Sequence, residues 1–314
     1  MRYATLTLNP CIDKTMFFDT PFEAGRLNRA ETGSLHSGGK GLNVSRVLKT
    51  LGVEAPALGF CGGETGMILE KLLDEEGITH QFAKTEAPTR VCVKMIDSGG
   101  VCTECNESGG PIKKSELAAL LKTTNRLLGD AGDKCYFFMG GSIPKGIEKS
   151  AYADIISFYK DRRVRFILDA DGEALTKGLA EGPWMIKPNL YELSGLVGFE
   201  IDSVGDAISA CRTIADTFGT RVLCTLGEKG SLYVSDEGVW ECSAPKVPMR
   251  GFSGAGDTYL AGFISLLTQG GSVPESLRFG AAMAAAKVSL PGNTVPSVEE
   301  AETHYSNVSV RKLF

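Results

Sequence analysis

The chain has 314 residues, of which 43% are hydrophobic and 23% are charged, a composition typical of a globular protein with a large core. Its net charge is −5 and it has no basic tail, so nucleic acid is not an expected partner. No stretch has the length and hydropathy of a membrane span, and the N-terminus does not resemble a signal peptide, so no membrane partner is expected. Nine scattered cysteines favour a reducing cytoplasm over a disulfide framework.

Strand-like apolar runs alternate with helix-like runs after an alternating N-terminal segment. The pairs are ALGFCG with GMILEKLLDEEG, KCYFFMGG with KSAYADIISFYKD, RFILDA with GEALTKGLAEG, WMIKPN with LYELSGLVG, and SVGDAISACRTIADTFG with RVLCTLG. Near-continuous apolar strands are typical of a parallel sheet covered on both faces. We therefore predict an α/β fold, a doubly wound α/β/α sandwich, with ligands beyond the carboxyl ends of the strands.

Two regions interrupt this alternation. Residues from about 14 to 37 lack helical periodicity, and residues 91–106 have a hairpin pattern, with VCVKMID and VCTECN around Ser98-Gly99-Gly100. Both regions predict short antiparallel strands outside the main sheet. Such strands could form a lid that excludes water from a site, or an insertion without a role in it.

The stretch Ser253–Asp257 joins a glycine-rich loop to a helix start, because TYLAGFISLLTQGG has helical apolar spacing. Gly254 and Gly256 lack side chains where a ligand would approach the backbone, and the free amides of a helix start attract an anion. Asp257 lies at the same point, where a carboxylate can accept a proton from a hydroxyl. The stretch suits phosphoryl transfer to an alcohol, although a capped turn has a similar pattern.

A second glycine cluster, Gly38-Gly39-Lys40-Gly41, precedes the amphipathic segment LNVSRVLKTLG. It lacks the spacing of a P-loop, and neither glycine cluster matches the dinucleotide fingerprint Gly-x-Gly-x-x-Gly. Asn43 lies in the first predicted turn and could bond sugar hydroxyls. Asp13, directly after the first strand, could do the same or be a turn residue.

Acidic residues three positions after a polar residue mark further helix starts. Asn189 and Glu192 share one helix face, which suits either a water-rich Mg²⁺ shell or a capped helix start. Ser272 with Glu275, and Ser297 with Glu300, predict capping boxes for two C-terminal helices.

Together these motifs resemble the ribokinase superfamily of sugar kinases, in its phosphofructokinase B branch. The resemblance extends from Thr5 to about Glu300. It is carried by TLNPCIDKT, SGGKGLNVSRVL, TECN, GGSIPKGI, ILDADGEAL, KPNLYEL, TLGEKGSLYV, GAGDTYLAGF and PGNTVPS. Within that branch the chain looks most like the kinases of fructose 1-phosphate and tagatose 6-phosphate.

The resemblance implies a bilobal sandwich with a β lid and gives roles to the motif residues. Asp257 would be the base, and Gly254, Ala255 and Gly256 would form the anion hole for the transferring phosphate. Asn189 and Glu192 would organise Mg²⁺. The implied nucleotide contacts are Lys187, Ser253, Gly256, Thr225, Leu226, Gly227, Glu228, Lys229 and Gly230. The implied sugar-phosphate ligands are Asp13, Gly38, Gly39, Lys40, Asn43, Arg90, Ser142 and Asp169.

One segment departs from the family pattern. Relatives usually have a threonine shortly before the GAGD-type sequence, whereas this chain has Arg250-Gly251-Phe252-Ser253. We expect Ser253 to stand in for that threonine.

The sequence therefore predicts one kinase domain over residues 1–314 that uses ATP and Mg²⁺ to phosphorylate a ketohexose phosphate. Lys14, Lys40 and Arg90 favour an acceptor that already carries a phosphate. The alternatives are a kinase of an unphosphorylated sugar or nucleoside, a nicotinamide-dependent oxidoreductase and a non-catalytic sugar sensor. The missing dinucleotide fingerprint argues against the oxidoreductase, and the intact Asp257 argues against the sensor. The expected partners are small molecules, and the lid is a candidate homodimer surface.

Overall fold

A computed structural model describes residues 2–129, 134–160, 162, 164–251 and 253–314. Its strands are β1 (Arg2–Thr7), β2 (Cys11–Phe17), β3 (Thr32–Gly38), β4 (Ala57–Gly62), β5 (His80–Thr85), β6 (Arg90–Ile96), β7 (Cys102–Asn106), β8 (Cys135–Gly140), β9 (Val164–Asp169), β10 (Met185–Ile186), β11 (Arg221–Thr225), β12 (Ser231–Ser235), β13 (Gly238–Cys242) and β14 (Val310–Lys312). Its α-helices are α1 (Lys40–Thr50), α2 (Gly63–Glu75), α3 (Lys114–Gly129), α4 (Ala151–Phe158), α5 (Gly172–Ala180), α6 (Leu190–Val197), α7 (Val204–Phe218), α8 (Ala255–Thr268), α9 (Val273–Ser289) and α10 (Val298–Tyr305).

The main sheet has the strand order β14-β13-β12-β11-β10-β9-β8-β1-β4-β5. All neighbours from β5 to β11 pair in parallel, and β12, β13 and β14 extend one edge with antiparallel pairs. Every residue of β4 and β8 is buried, as expected of parallel strands that are covered on both faces.

Helices cover both faces of this sheet. Successive residues of a strand point to opposite faces, so each strand contributes side chains to two cores. On β8, Phe137 and Met139 join the core that contains buried side chains of α3 to α7. Tyr136 and Phe138 join the opposite core, with residues of α1, α8, α9 and α10. The predicted doubly wound α/β/α sandwich is confirmed.

A second, four-stranded sheet has the order β3-β2-β6-β7. Its outer pairs are antiparallel and its central pair, β2 with β6, is parallel. The strands begin at Cys11 and Arg90, slightly before the predicted lid segments at 14 and 91. Ile12 packs with Leu69 and Leu73 of α2, which anchors the base of this lid sheet to the sandwich.

The sequence signals for helix starts predicted more of the structure than the signals for edge strands did. The predicted capping boxes at Ser272 and Ser297 are both present, with the N3 glutamate side chain accepting from the backbone of the cap residue. The sequence patterns gave no prediction for α3 or for the antiparallel strands β12 to β14. Within the described ranges, no helix is long and apolar enough to cross a membrane.

Candidate active site

The predicted site residues lie where parallel strands of the main sheet end. Ser142 follows β8, Asp169 is the last residue of β9, Lys187 follows β10, and Thr225 is the last residue of β11. These strands run in one direction, so their carboxyl ends lie along one edge of the sheet. That edge is where ligands bind in doubly wound folds.

The centre of this edge is a buried ion-pair cluster around Asp169. Lys40 Nζ lies 2.6 Å from one carboxylate oxygen of Asp169, and Lys187 Nζ lies 2.9 Å from the other. Burial alone would raise the pKa of Asp169, but Lys187 and Lys40 outweigh it and hold that pKa below its usual value. With Asp169 ionised, two ammonium groups share one carboxylate, so Asp169 offsets only one of their two positive charges.

The glycine-rich loop begins α8 without any side-chain cap. Gly254 occupies the cap position in the left-handed region, at φ 81°, and no side chain bonds the first amides of the helix. A Cβ at Gly256 would lie 3.3 Å from Lys187 Nζ, so the missing side chain lets that ammonium lie against the loop. The amides of Gly254, Ala255 and Gly256 are therefore available to an anion beside a lysine.

Asp257 is buried in the first turn of α8 and faces another helix. Its Oδ2 accepts a hydrogen bond of 2.7 Å from Nδ2 of Asn43 in α1. Burial raises the pKa of Asp257, and the negative charge of Asp169 adds to this rise, while Lys187 and Lys40 oppose it. A carboxylate with a raised pKa is a stronger proton acceptor, which is what a general base requires.

At the start of α6, Asn189 and Glu192 form a complete capping box. The side chain of Asn189 accepts from the Glu192 amide at 2.8 Å, and Glu192 Oε2 accepts from the Asn189 amide at 2.9 Å. Glu192 Oε1 lies 4.0 Å from Lys40 Nζ, and burial raises the pKa of Glu192. The capping interpretation is thus confirmed, and one carboxylate oxygen remains directed toward the ion-pair cluster.

The loop after β11 lies beside this helix start. The amide of Thr225 donates to Pro188 O at 3.0 Å, and Thr225 and Asn189 form an isolated parallel bridge. Gly227, Glu228 and Lys229 form a short 3₁₀ turn that is exposed, and Leu226 and Gly230 close it with a backbone hydrogen bond of 2.8 Å. The predicted nucleotide segment is therefore an open loop next to Lys187 and Asn189.

Arg90 and Ser142 are joined through a residue that sequence reasoning missed. Two guanidinium nitrogens of Arg90 donate to Asn9 O at 3.2 and 3.0 Å, and a third donates to Glu107 O at 3.1 Å. Asn9 Nδ2 in turn donates to Ser142 Oγ at 3.1 Å. These acceptors of Arg90 are neutral backbone carbonyls. Asn9 lies two residues after β1, whereas Asp13, which was expected directly after the first strand, lies within β2.

The lid reaches the glycine loops from two strands. Asp13 on β2 lies against Gly38, where a Cβ would come within 2.6 Å of its Oδ2. Gly39 caps α1 with φ 140° and leaves room for Thr7. Lys94 on β6 donates to Ser253 Oγ at 2.8 Å, so the residue predicted to replace the family threonine contacts the lid. Phe252, in the same segment, lies outside the described residues.

A second lysine beside the α8 loop was also missed. Lys287 is buried within α9, and its Cε lies 3.4 Å from the position of a Cβ at Gly254. Its Nζ donates to Gly292 O at 2.9 Å. Burial lowers the pKa of Lys287 to about 8, with Arg46 and Lys94 adding to the effect. A lysine inside an otherwise small and apolar helical run was the available signal.

A buried carboxylate at an uncapped helix start, next to paired lysines at the ligand-binding edge, is an arrangement that suits phosphoryl transfer to a hydroxyl group. The particular family follows from comparison with known proteins. The sequence model described as pfkB family carbohydrate kinase matches residues 6–301, and the chain belongs to that family.

Individual relatives agree with this assignment. The 1-phosphofructokinase of Escherichia coli (strain K12) is 33% identical over 288 residues, covering 92% of this chain and 91% of the relative. The phosphofructokinase-2 of Escherichia coli, solved in complex with fructose-6-phosphate, has a TM-score of 0.88 and 28% identity, covering 98% of each chain. Arabidopsis thaliana ribokinase, complexed with ribose and ATP, has the same fold at 24% identity, with a TM-score of 0.79 and coverage of 97% and 99%.

The comparisons confirm the predicted family, the ribokinase-like fold and the kinase class, with ATP as the co-substrate that the family implies. The oxidoreductase and sensor alternatives do not agree with membership of a carbohydrate kinase family.

Proposed function

We propose that this kinase transfers the γ-phosphoryl group of ATP to a hydroxyl of a ketohexose phosphate, with fructose 1-phosphate as acceptor and fructose 1,6-bisphosphate as product. The observation that carries the proposal is Asp257, buried at an uncapped helix start beside the Lys40–Asp169–Lys187 cluster. Residues 1–314 act together as one kinase domain, with strands β2, β3, β6 and β7 as its lid.

The proposed reaction is an in-line displacement. The acceptor hydroxyl loses its proton to Asp257, its oxygen forms a bond to the γ-phosphorus, and the bond from that phosphorus to the β–γ bridging oxygen breaks to release ADP. Asp257 then returns the proton to solvent. The amides of Gly254, Ala255 and Gly256, with Lys187 beside them, stabilise the charge on the transferring group.

The residues at the start of α6 fit a magnesium ion bound together with ATP. Glu192 Oε1 is the carboxylate oxygen that the capping box leaves free, and Asn189 is exposed beside it. Mg²⁺ prefers one or two protein oxygens and otherwise keeps its waters. When bound it would neutralise charge on the nucleotide phosphates, and its protein donors would be Glu192 Oε1 and Asn189 Oδ1, which accepts one hydrogen bond from the helix backbone and keeps a second lone pair.

The acceptor phosphate is assigned to the end of the cleft where Arg90 and Ser142 meet. Asn9 contacts both side chains, and the hydrogen bonds of the Arg90 guanidinium go to the backbone carbonyls of Asn9 and Glu107. A guanidinium held in this way can bind a phosphate through charge-assisted hydrogen bonds. The names of the relatives support a phosphorylated fructose, since one is a 1-phosphofructokinase and another was solved with fructose-6-phosphate.

The test is an ADP-release assay with fructose 1-phosphate, fructose 6-phosphate, tagatose 6-phosphate and fructose. We expect fructose 1-phosphate to have the highest kcat/KM. Arg90→Ala should raise its KM by roughly 30- to 1000-fold, or about 2–4 kcal/mol, and leave the KM for ATP nearly unchanged.

The matched control is Arg212→Ala, because Arg212 is an exposed arginine on α7, outside the lid. Preference of the wild type for plain fructose would contradict the proposal. An equal rise of KM for fructose and fructose 1-phosphate in Arg90→Ala would also contradict it, since only one of them carries a phosphate.

We also propose that the protein works in a reducing cytoplasm. We propose further that two copies of the chain associate through the outer face of the lid sheet. Leu35 is 45% exposed on this face, and the cross-strand register places Val93 there, with Met16 and Met95 one pair further along. All nine cysteines are free thiols, which supports the proposal of a reducing cytoplasm. Sedimentation should show a dimer that Val93→Asp converts to a monomer, whereas a monomeric wild type would rule this surface out.

A further inference from the structure

Two thiols and a carboxylate lie together on the cleft side of the lid. The sulfurs of Cys11 and Cys92 and a carboxylate oxygen of Asp13 all lie within 4.8 Å of one another. Cys11 Sγ is 3.4 Å from Asp13 Oδ1. Both cysteines are buried and Asp13 is half-buried, so the carboxylate is the member that solvent and ligands can reach. No other group of this kind was found in the part of the chain that the structure describes.

The strand register explains how the three side chains meet. Cys11 and Asp13 are two residues apart on β2 and share one face, and Asp13 pairs with Cys92 on β6. Cys11 and Cys92 are therefore diagonal neighbours on parallel strands, and a strand spacing of about 4.8 Å with a rise of about 3.3 Å per residue puts their Cα atoms roughly 8 Å apart. That separation exceeds the usual span of a disulfide, which is about 4.4–6.8 Å. A metal ion with bonds of about 2.3 Å to each sulfur can bridge such a pair without moving the strands.

A glycine on the neighbouring strand keeps the space open. Gly38 on β3 pairs with Cys11, and a Cβ at Gly38 would lie 2.6 Å from both Cys11 Sγ and Asp13 Oδ2. Any side chain at this position would therefore collide with two of the three ligand atoms. The glycine keeps this volume free, which is the space that a metal ion and a bound water would need.

We propose that Cys11, Cys92 and Asp13 form a binding site for a thiophilic divalent cation, with Zn²⁺ as the best chemical match. Two thiolates and one carboxylate with an open fourth position suit tetrahedral Zn²⁺, whereas Mg²⁺ prefers oxygen ligands alone. Each thiol releases its proton to solvent when its sulfur binds the metal.

Occupation of this site blocks the sugar phosphate, because the same Asp13 carboxylate serves both ligands. This consequence depends on the proposed function and on the acceptor-binding role that the family resemblance implies for Asp13. The kinase would then respond to two metals at two sites. Oxygen donors at the start of α6 suit Mg²⁺, and the two sulfurs with Asp13 in the lid suit Zn²⁺.

The direct test is titration of the full-length protein with Cd²⁺, a spectroscopic substitute for Zn²⁺, in the absence of substrates. We expect thiolate-to-metal charge-transfer absorption that saturates at one ion per chain. Cys92→Ala and Cys11→Ala should each weaken binding by about 10-fold or more. Cys105→Ala is the matched control, because this exposed thiol lies on the next strand of the same sheet. Absence of the absorption, or equal binding by both site variants and wild type, would overturn the proposal.

A second measurement separates the metal site from the proposed acceptor. Zn²⁺ inhibition at saturating Mg²⁺ and ATP should be competitive with fructose 1-phosphate, and should weaken by about 10-fold in Cys92→Ala relative to that variant's own zinc-free rate. Metal binding without competition would overturn the blocking role. If fructose 1-phosphate is not a substrate, the Cd²⁺ titration still decides whether the metal site exists.

Discussion

Two helices that begin at the cleft carry an acidic residue at the same position, the third of the helix. In α6 this residue is Glu192, which bonds back to the amide of Asn189 at 2.9 Å. In α8 it is Asp257, whose side chain does not bond to its own helix start. It accepts a hydrogen bond of 2.7 Å from Asn43 of α1 instead. In α6 the acidic side chain accepts a hydrogen bond from the backbone at its own helix start. In α8 the acidic side chain leaves the backbone amides of its helix start without a side-chain partner.

The cap residue explains the difference. Asn189 is extended, with φ −88° and ψ 178°, and its side chain accepts from the Glu192 amide, so the two side chains complete each other. Gly254 has a left-handed backbone conformation, and it has no side chain that could accept a hydrogen bond from the helix amides. Aspartate is also one methylene shorter than glutamate, which limits its reach back along the helix. An acidic residue at a helix start therefore has a capping or a chemical role according to the residue that precedes it.

The largest effect is expected from Asp257→Asn, which keeps the shape of the side chain but removes its ability to accept a proton at neutral pH. The kcat should fall by about 100-fold or more, while the KM for ATP is largely retained. Burial raises the pKa of Asp257, so its ionised form is costly, and the variant should also unfold at a higher temperature at pH 7.

The matched control for this base is Glu275→Gln, the same isosteric change at the third residue of the capped helix α9. It should leave kcat unchanged. A variant Asp257→Asn that keeps most of its kcat would rule out Asp257 as the base.

A smaller effect is expected from Glu192→Gln. Glutamine can still complete the capping box, so the free energy of unfolding should change little. The Mg²⁺ concentration for half-maximal activity should rise by about 10-fold, since a charged ligand has been lost. Glu192→Ala, which removes both functions, should lower the melting temperature as well. An unchanged Mg²⁺ dependence in Glu192→Gln would restrict Glu192 to capping.

The smallest effect is expected from Lys287→Met, beside the open start of α8. The pKa of Lys287 is lowered from 10.5 to about 8, so between these values the unfolded chain binds one proton more than the folded chain. Stability contributed by this group therefore rises with pH from about 8 to 10.5, and below pH 8 the buried charge is a cost.

Lys287→Met should accordingly be more stable than wild type at pH 7 by ~1–3 kcal/mol, and the difference should shrink at pH 9.5. Its kcat should fall several-fold if the charge assists the phosphate at Gly254. Urea unfolding at both pH values measures the first effect, with Lys122→Met on the exposed face of α3 as control. Identical pH slopes for the two variants would show that Lys287 is not a costly buried charge.

The sequence by itself determined those features that depend on neighbouring residues. The apolar runs predicted the parallel strands, and the spacing of serine and glutamate predicted the caps of α9 and α10. The hairpin pattern predicted β6 and β7 around the turn at Ser98-Gly99-Gly100. Each of these signals lies within a few residues of the structure it specifies, so no knowledge of distant contacts was needed.

The tertiary structure alone decided which acidic helix start could act as a base, because the deciding partner of Asp257, Asn43, is 214 positions away. The same holds for Asn9, which joins Arg90 to Ser142, and for β14, which pairs with β13 some 70 residues earlier in the chain. The lysine in the small and apolar run of α9 is a local signal, but only packing places Lys287 against Gly254. These roles depend on burial and on charges brought together by the fold, and neither quantity can be read from a local pattern.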